Sequence, residues 1–208
     1  MAHALIFLSL LTNLVGENSE GSTKLSFKTE SGPTLLVDGY RVSFQNGQKL
    51  EKDEWSEFKI SYRSGKENKT LFEASALDSF YIEKVSNGLV LQELWWFDAS
   101  FHRAIESRIN CGKESCALLS AKCILKSSSK VDSNIMKEIK KARSGQNKDE
   151  PLDSLMIRAF SSALAGDRVA LSFFTPQERP KDLDGAYGEE WVRANERLSK
   201  LKKLNCLR

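Results

Sequence analysis

The sequence predicts an α+β fold: a mostly antiparallel β-sheet from the N-terminal half, packed with about three helices from the C-terminal half. Three observations carry that expectation. Apolar residues recur at every second position up to about residue 126, and at every third or fourth position after 131. Two dipeptides, Asp38-Gly39 and Asn87-Gly88, lie between strand-like runs, where such pairs favour tight hairpin turns. The run from Leu89 to Phe97 is apolar at both odd and even positions, as expected of a strand covered on both faces. A chain of 208 residues suits one domain, placed here at 24–208, β-rich over 24–126 and helical with one late strand over 131–208.

Taken in order, Thr34 to Phe44 reads as a hairpin about Asp38-Gly39, with Val37 facing Tyr40 and Leu35 facing Val42. Residues 48–57 are charged and expected to be exposed. Phe58, Ile60 and Tyr62 alternate with Lys59, Ser61 and Arg63, giving a strand with one wet face. After a loop at 64–68 comes a strand from Thr70, and Asn68-Lys69-Thr70 matches a glycosylation acceptor. Ser79–Val85 and Leu89–Phe97 form the second hairpin, and residues 101–110 the next strand. Ile135 and Ile139 mark a short helix over 133–143, capped by Asp132 or Ser133. Pro151 opens the strongest helix, with Asp149 as its cap, an apolar stripe from Leu152 through Leu155, Met156, Ala159, Phe160 and Ala163 to Leu164, and Gly166 as its stop. Arg168 to Phe174 reads as the late strand. A polar loop over 176–188 precedes a last helix over 189–204, where Trp191, Ala194, Leu198 and Leu201 share one face. Its acids lie in the first turn and its lysines in the last, the order that suits the helix dipole.

Residues 1–16 carry no charge beyond the amino terminus. The apolar run from Ala4 to Val15 falls short of the roughly 20 residues that cross a bilayer. It has the length of a secretory signal's apolar region, with Gly16 or Ser19 as the small residue at a cleavage point. Residues 1–20 are therefore read as a signal peptide with the start of a flexible mature N-terminus extending to Lys24, and the mature protein as periplasmic or extracellular without an integral membrane segment. A buried first helix or strand is the alternative. In an oxidising compartment the four cysteines suggest two disulfides, and three pairings are possible. Cys111 and Cys116 can close a short loop, leaving Cys123 for Cys206 beyond the last helix. A zinc site fits poorly, because no Cys-x-x-Cys pair occurs and His102 is the only histidine after His3.

Candidate chemistry is sparse. His102, Ser100 and Asp98 would share one face of an extended strand, as a hydrolytic site requires, but the Gly-x-Ser-x-Gly turn is absent. Glu93, between Leu91 and Trp95 on its face, is the acid expected to be buried. Trp95 and Trp96 point to opposite faces of a strand, so one could serve as a binding anchor, although core positions are favoured for both. Residues 182–190 resemble a calcium loop only faintly and lack its ligand ladder. No phosphate-binding or dinucleotide-binding glycine pattern occurs, and neither a metal nor a cofactor is expected.

Charge is uneven. Residues 17–100 hold 10 Lys/Arg against 14 Asp/Glu, and residues 101–208 hold 21 against 14. That excess is too dilute for a nucleic-acid footprint. The reading is an exported binding protein whose partner is another protein, inhibitor-like or immunity-like by class analogy. The alternatives are an exported hydrolase built on His102, and a carrier of a small apolar ligand held between the sheet and the 152–164 helix.

Overall fold

The computed structural model describes residues 18–44, 53–75, 78–97, 100–126, 130–145, 152–175, 179–181, 183 and 185–207. The signal-like segment and the Pro151 and Asp149 helix start lie outside them. The class is α+β: a sheet of antiparallel strands from the N-terminal half, followed, among the described residues, by four helices. The chain forms two compact units, Met1–Glu93 with Ser107–Ser120, and Leu94–Glu106 with Ala121–Arg208.

In the first unit β1 (Asn18–Lys28), β2 (Thr34–Phe44) and β3 (Asp53–Ser64) pair in sequence. The far side of β3 is shared. Lys59–Ser64 pair with β4 (Glu67–Glu73), and Asp53–Ser56 pair with β5 (Ser79–Val85). β6 (Gly88–Phe97) and β7 (Ser100–Cys111) follow and run on into the second unit; β8 (Cys116–Leu118) pairs with β7. Leu35, Val37, Phe58, Ile60, Tyr62, Phe80, Leu89, Leu91 and Ile109 build the core of this unit. Phe58 meets Phe72 and Phe80 at centroid distances of 5.7 and 5.3 Å, within the range where ring quadrupoles attract.

The turn at Asp38-Gly39 does not form. β2 runs straight through it, with Val37 opposite Leu25 and Ile60, and Leu35 opposite Phe27 and Tyr62. The reason is a bulge in β3. Gly39 faces Phe58 and Tyr40 faces Ser56, so Glu57 is the extra residue, at φ 44°. Here the backbones approach so closely that a Cβ on Gly39 would lie 2.3 Å from the Phe58 Cβ. Glycine serves close approach, not a turn. Asp38 is an exposed cross-strand partner of Lys24 at 2.9 Å. The segment expected to be a flexible N-terminus is largely β1, which fills the position the hairpin would have left open. The bulge brings Trp55 onto the face that carries Phe58 and Ile60, so it is buried where exposure was expected; Glu54, on the opposite face, is buried as well.

The hairpin that joins β5 to β6 forms as predicted, but its turn residues are Ser86-Asn87, one position before the expected Asn87-Gly88, and Gly88 opens β6. A Cβ on Gly88 would fall 1.8 Å from the Ile109 carbonyl oxygen. The Asn87 side chain accepts from the Ser31 amide at 3.1 Å, its carbonyl accepts from the Cys111 amide at 2.8 Å, and Ser31 Oγ donates to the Cys111 carbonyl at 2.9 Å. The Cys111–Cys116 disulfide closes the adjacent loop.

In the second unit β9 (Lys122–Cys123) pairs with β7, placing Ile105 opposite Cys123. Four helices follow: α1 (Ile135–Arg143), α2 (Leu152–Leu164), α3 (Arg168–Phe174) and α4 (Gly185–Lys203). The predicted apolar faces are the buried ones, with Ile135, Ile139, Leu155, Met156, Ala159, Phe160, Ala163, Trp191, Ala194, Leu198 and Leu201 in one cluster. α1 is entered through Asn134, whose side chain makes no capping bond; Asp132 instead accepts from the Asn134 amide through Oδ1.

The expected late strand is α3, a fourth helix. Gly166, at φ 96°, ends α2, with its amide donating to Ala163 and that of Asp167 to Ser162. Asp167 Oδ1 then accepts from the Val169 and Ala170 amides and caps the next helix at once. Ala170 and Phe174, four apart, face inward. Trp191 and Asn195 of α4 donate to the Phe173 and Phe174 carbonyls, which the helix end would otherwise leave without donors. α4 itself begins four residues earlier than expected. Arg158 of α2 pairs with Glu138 of α1 at 2.9 Å and with Asp132, in the segment ahead of α1, at 2.5 Å.

Candidate ligand-binding site

The predicted catalytic residues are placed as follows. His102 stacks on Phe97, with ring centroids 4.0 Å apart and planes 12° from parallel. Asp98 and the Ser100 side chain lie outside the described residues. Glu93 is buried on β6 between Leu91 and Trp95, as strand alternation predicts. Trp95 is fully buried against Phe160, with the Arg197 guanidinium 5.4 Å from its ring centre, so it is core and not an exposed anchor. The Trp96 side chain lies outside the described residues.

Two buried acids were not picked out from the sequence. Glu106 pairs with Lys122 at 2.8 Å across the β7–β9 ladder. Glu54 is buried on β3, and its loss of hydration raises its pKa above the usual carboxylate range, against a hydrogen bond with the Ser79 side chain that lowers it. The folded protein therefore holds a proton at Glu54 more tightly than the unfolded chain does. The resulting stability is fully present below the unfolded carboxyl's pKa and is lost as pH rises through the folded value. Glu54→Gln, which cannot ionise, should escape that loss. Urea midpoints of wild type and variant should diverge in the variant's favour as pH rises above the unfolded carboxyl's range; a constant or reversed gap would contradict the assignment.

The described concave site belongs to the second unit. A cavity of about 640 Å³ is walled by the end of α2, by α3, by Cys123 and Leu125 beside β9, and by the segment past α4. Leu125, Leu164, Leu171, Leu201 and Leu207 give it an aliphatic side, Lys126 and Arg168 give it two cations, and polar atoms make up the larger share of its surface. A second cavity of about 250 Å³ shares Leu171 and Leu207 and adds Phe174, Leu198 and Lys202. The larger volume lies within the roughly 300–1,000 Å³ typical of small-molecule sites.

Local sequence explains the wall. Asn205, at φ 54°, ends α4; its amide donates to Lys202 and that of Cys206 to Leu201. This is the left-handed helix stop that asparagine tolerates better than most residues. It turns Cys206 and Leu207 back toward the body of the unit, where Cys206 bonds Cys123. The Cys123–Cys206 disulfide is thus part of the lining. Both cysteine pairs are those the spacing suggested.

Among the described residues no cluster of His, Cys, Asp and Glu could hold a metal, and no helix is long and apolar enough to cross a membrane. Fold and cavity together define an α+β protein with two disulfides and a cationic, leucine-lined cleft. No protein-family model matches the sequence, and neither a curated protein nor a solved structure does.

Proposed function

We propose that the protein is exported to an oxidising compartment and acts by binding, with the cavity of the second unit as its binding site. The carrying observation is the composition of that cavity: aliphatic side chains, a disulfide and two cations. Such a lining supplies affinity from its apolar side and charge selection from its two cations. This favours the carrier reading among those the sequence allowed. The two disulfides fit the exported location, and cleavage at Gly16 would leave β1 whole, whereas cleavage after Ser19 would trim it.

A protein partner is the second reading, supported by Leu118 and Leu119, which stand exposed beside the Cys111–Cys116 loop. The deciding experiment is the intact mass of the full-length gene product recovered from the extracytoplasmic fraction and alkylated without reductant. Loss of about the first 16 residues and no alkylation support the proposal. An uncleaved chain with four alkylated thiols overturns the exported part of it.

A further inference from the structure

We infer that the cavity takes a single-chain amphipathic anion, its aliphatic tail along the leucines and its head at Lys126 and Arg168; this rests on the binding reading above. The two cations share one cavity whose described lining residues include no Asp or Glu, and neither forms an ion pair with a described residue. Asp167, next to Arg168 in sequence, forms no ion pair with it. Its Oδ1 accepts from two α3 amides and its Oδ2 from the Ser162 hydroxyl at 2.9 Å. Charge at the rim is therefore left for an anion, and a guanidinium offers a forked donor set for it.

The tail is argued from the walls. Leu171 and Leu207 line both cavities, so the two are neighbours across these leucines, and Phe174 and Leu198 add apolar surface to the smaller one. An aliphatic chain laid against these leucines gains affinity from each methylene group it buries, which a compact polar solute does not. Lys202 carries a further positive charge in the lining of the second cavity.

The test is calorimetric titration of the oxidised, full-length mature protein with dodecanoate, dodecanol and dodecylamine. Dodecanoate should bind roughly 10- to 100-fold more tightly than dodecanol, the worth of a charge-assisted contact, and dodecylamine more weakly still. The double variant Lys126→Glu with Arg168→Glu changes only exposed side chains. It should erase the dodecanoate preference and favour the amine. Leu171→Trp should weaken all three ligands together. Equal binding of dodecanoate and dodecanol, unchanged by the charge reversal, would overturn the anion assignment while leaving a carrier of neutral chains. Absence of binding by all three would overturn the cavity as a binding site, and with it the carrier reading. Neither result bears on export, which the mass measurement decides separately.

Discussion

Replacing Trp95 with alanine should cost about 3–5 kcal/mol of stability, among the larger losses open to a single substitution in this chain. Trp95 is fully buried, and its indole packs on Phe160 at 6.1 Å between centroids while Arg197 covers the ring. Phe160 in turn meets Phe97 and Phe174 edge-on, at 5.9 and 6.3 Å. Removing the indole leaves a hole in a network of rings that draws on β6, α2 and α3 and cannot close without shifting several of them. Guanidinium unfolding with far-ultraviolet circular dichroism measures the loss. The rival role, an exposed anchor for a partner, predicts the opposite pattern: an unchanged midpoint and weakened association. Trp95→Phe, which keeps a ring in place, should lose clearly less than Trp95→Ala.

The residues that were legible in the sequence are those whose periodicity reports burial directly. Leu155, Met156, Ala159, Phe160 and Ala163 recur at helical spacing and all are buried; Phe58, Ile60 and Tyr62 alternate and do the same. The sequence misleads where a local signal has two physical uses. Asp38-Gly39 has the chemistry of a tight turn, yet glycine also permits close strand approach, and only the bulge at Glu57 decides between them. Arg168 to Phe174 is short and apolar, so period alone cannot separate strand from helix. The deciding cue was the Gly166-Asp167 pair, a helix stop followed immediately by a helix cap. The binding site left the faintest trace of all. Its walls come from residues 123–126, 163–171 and 201–207, which no sequence window unites. The helical apolar stripe pointed only to one of its walls.

The two disulfides should differ sharply in what they contribute. Closing 83 residues between Cys123 and Cys206 restricts the unfolded chain far more than closing five between Cys111 and Cys116. Loop-closure entropy gives upper estimates of about 4–5 kcal/mol for the first and about 2 kcal/mol for the second. Paired serine substitutions in each, compared by guanidinium midpoints, should therefore rank Cys123→Ser with Cys206→Ser as the more damaging. A ranking in the other direction would mean that the small loop does more than shorten the unfolded chain. That outcome would point to the Ser31, Asn87 and Cys111 hydrogen bonds gathered beside it. The long-range pair has a second consequence, because Cys206 and Leu207 are cavity wall. In the serine variant, even at temperatures where it remains folded, the segment past α4 is no longer tethered to β9. Dodecanoate affinity should then fall, whereas loss of the Cys111–Cys116 bridge should leave it unchanged. Stability and binding are thus coupled through one bond in the second unit and separable through the bond in the first, an asymmetry that a merely structural role for both disulfides does not produce.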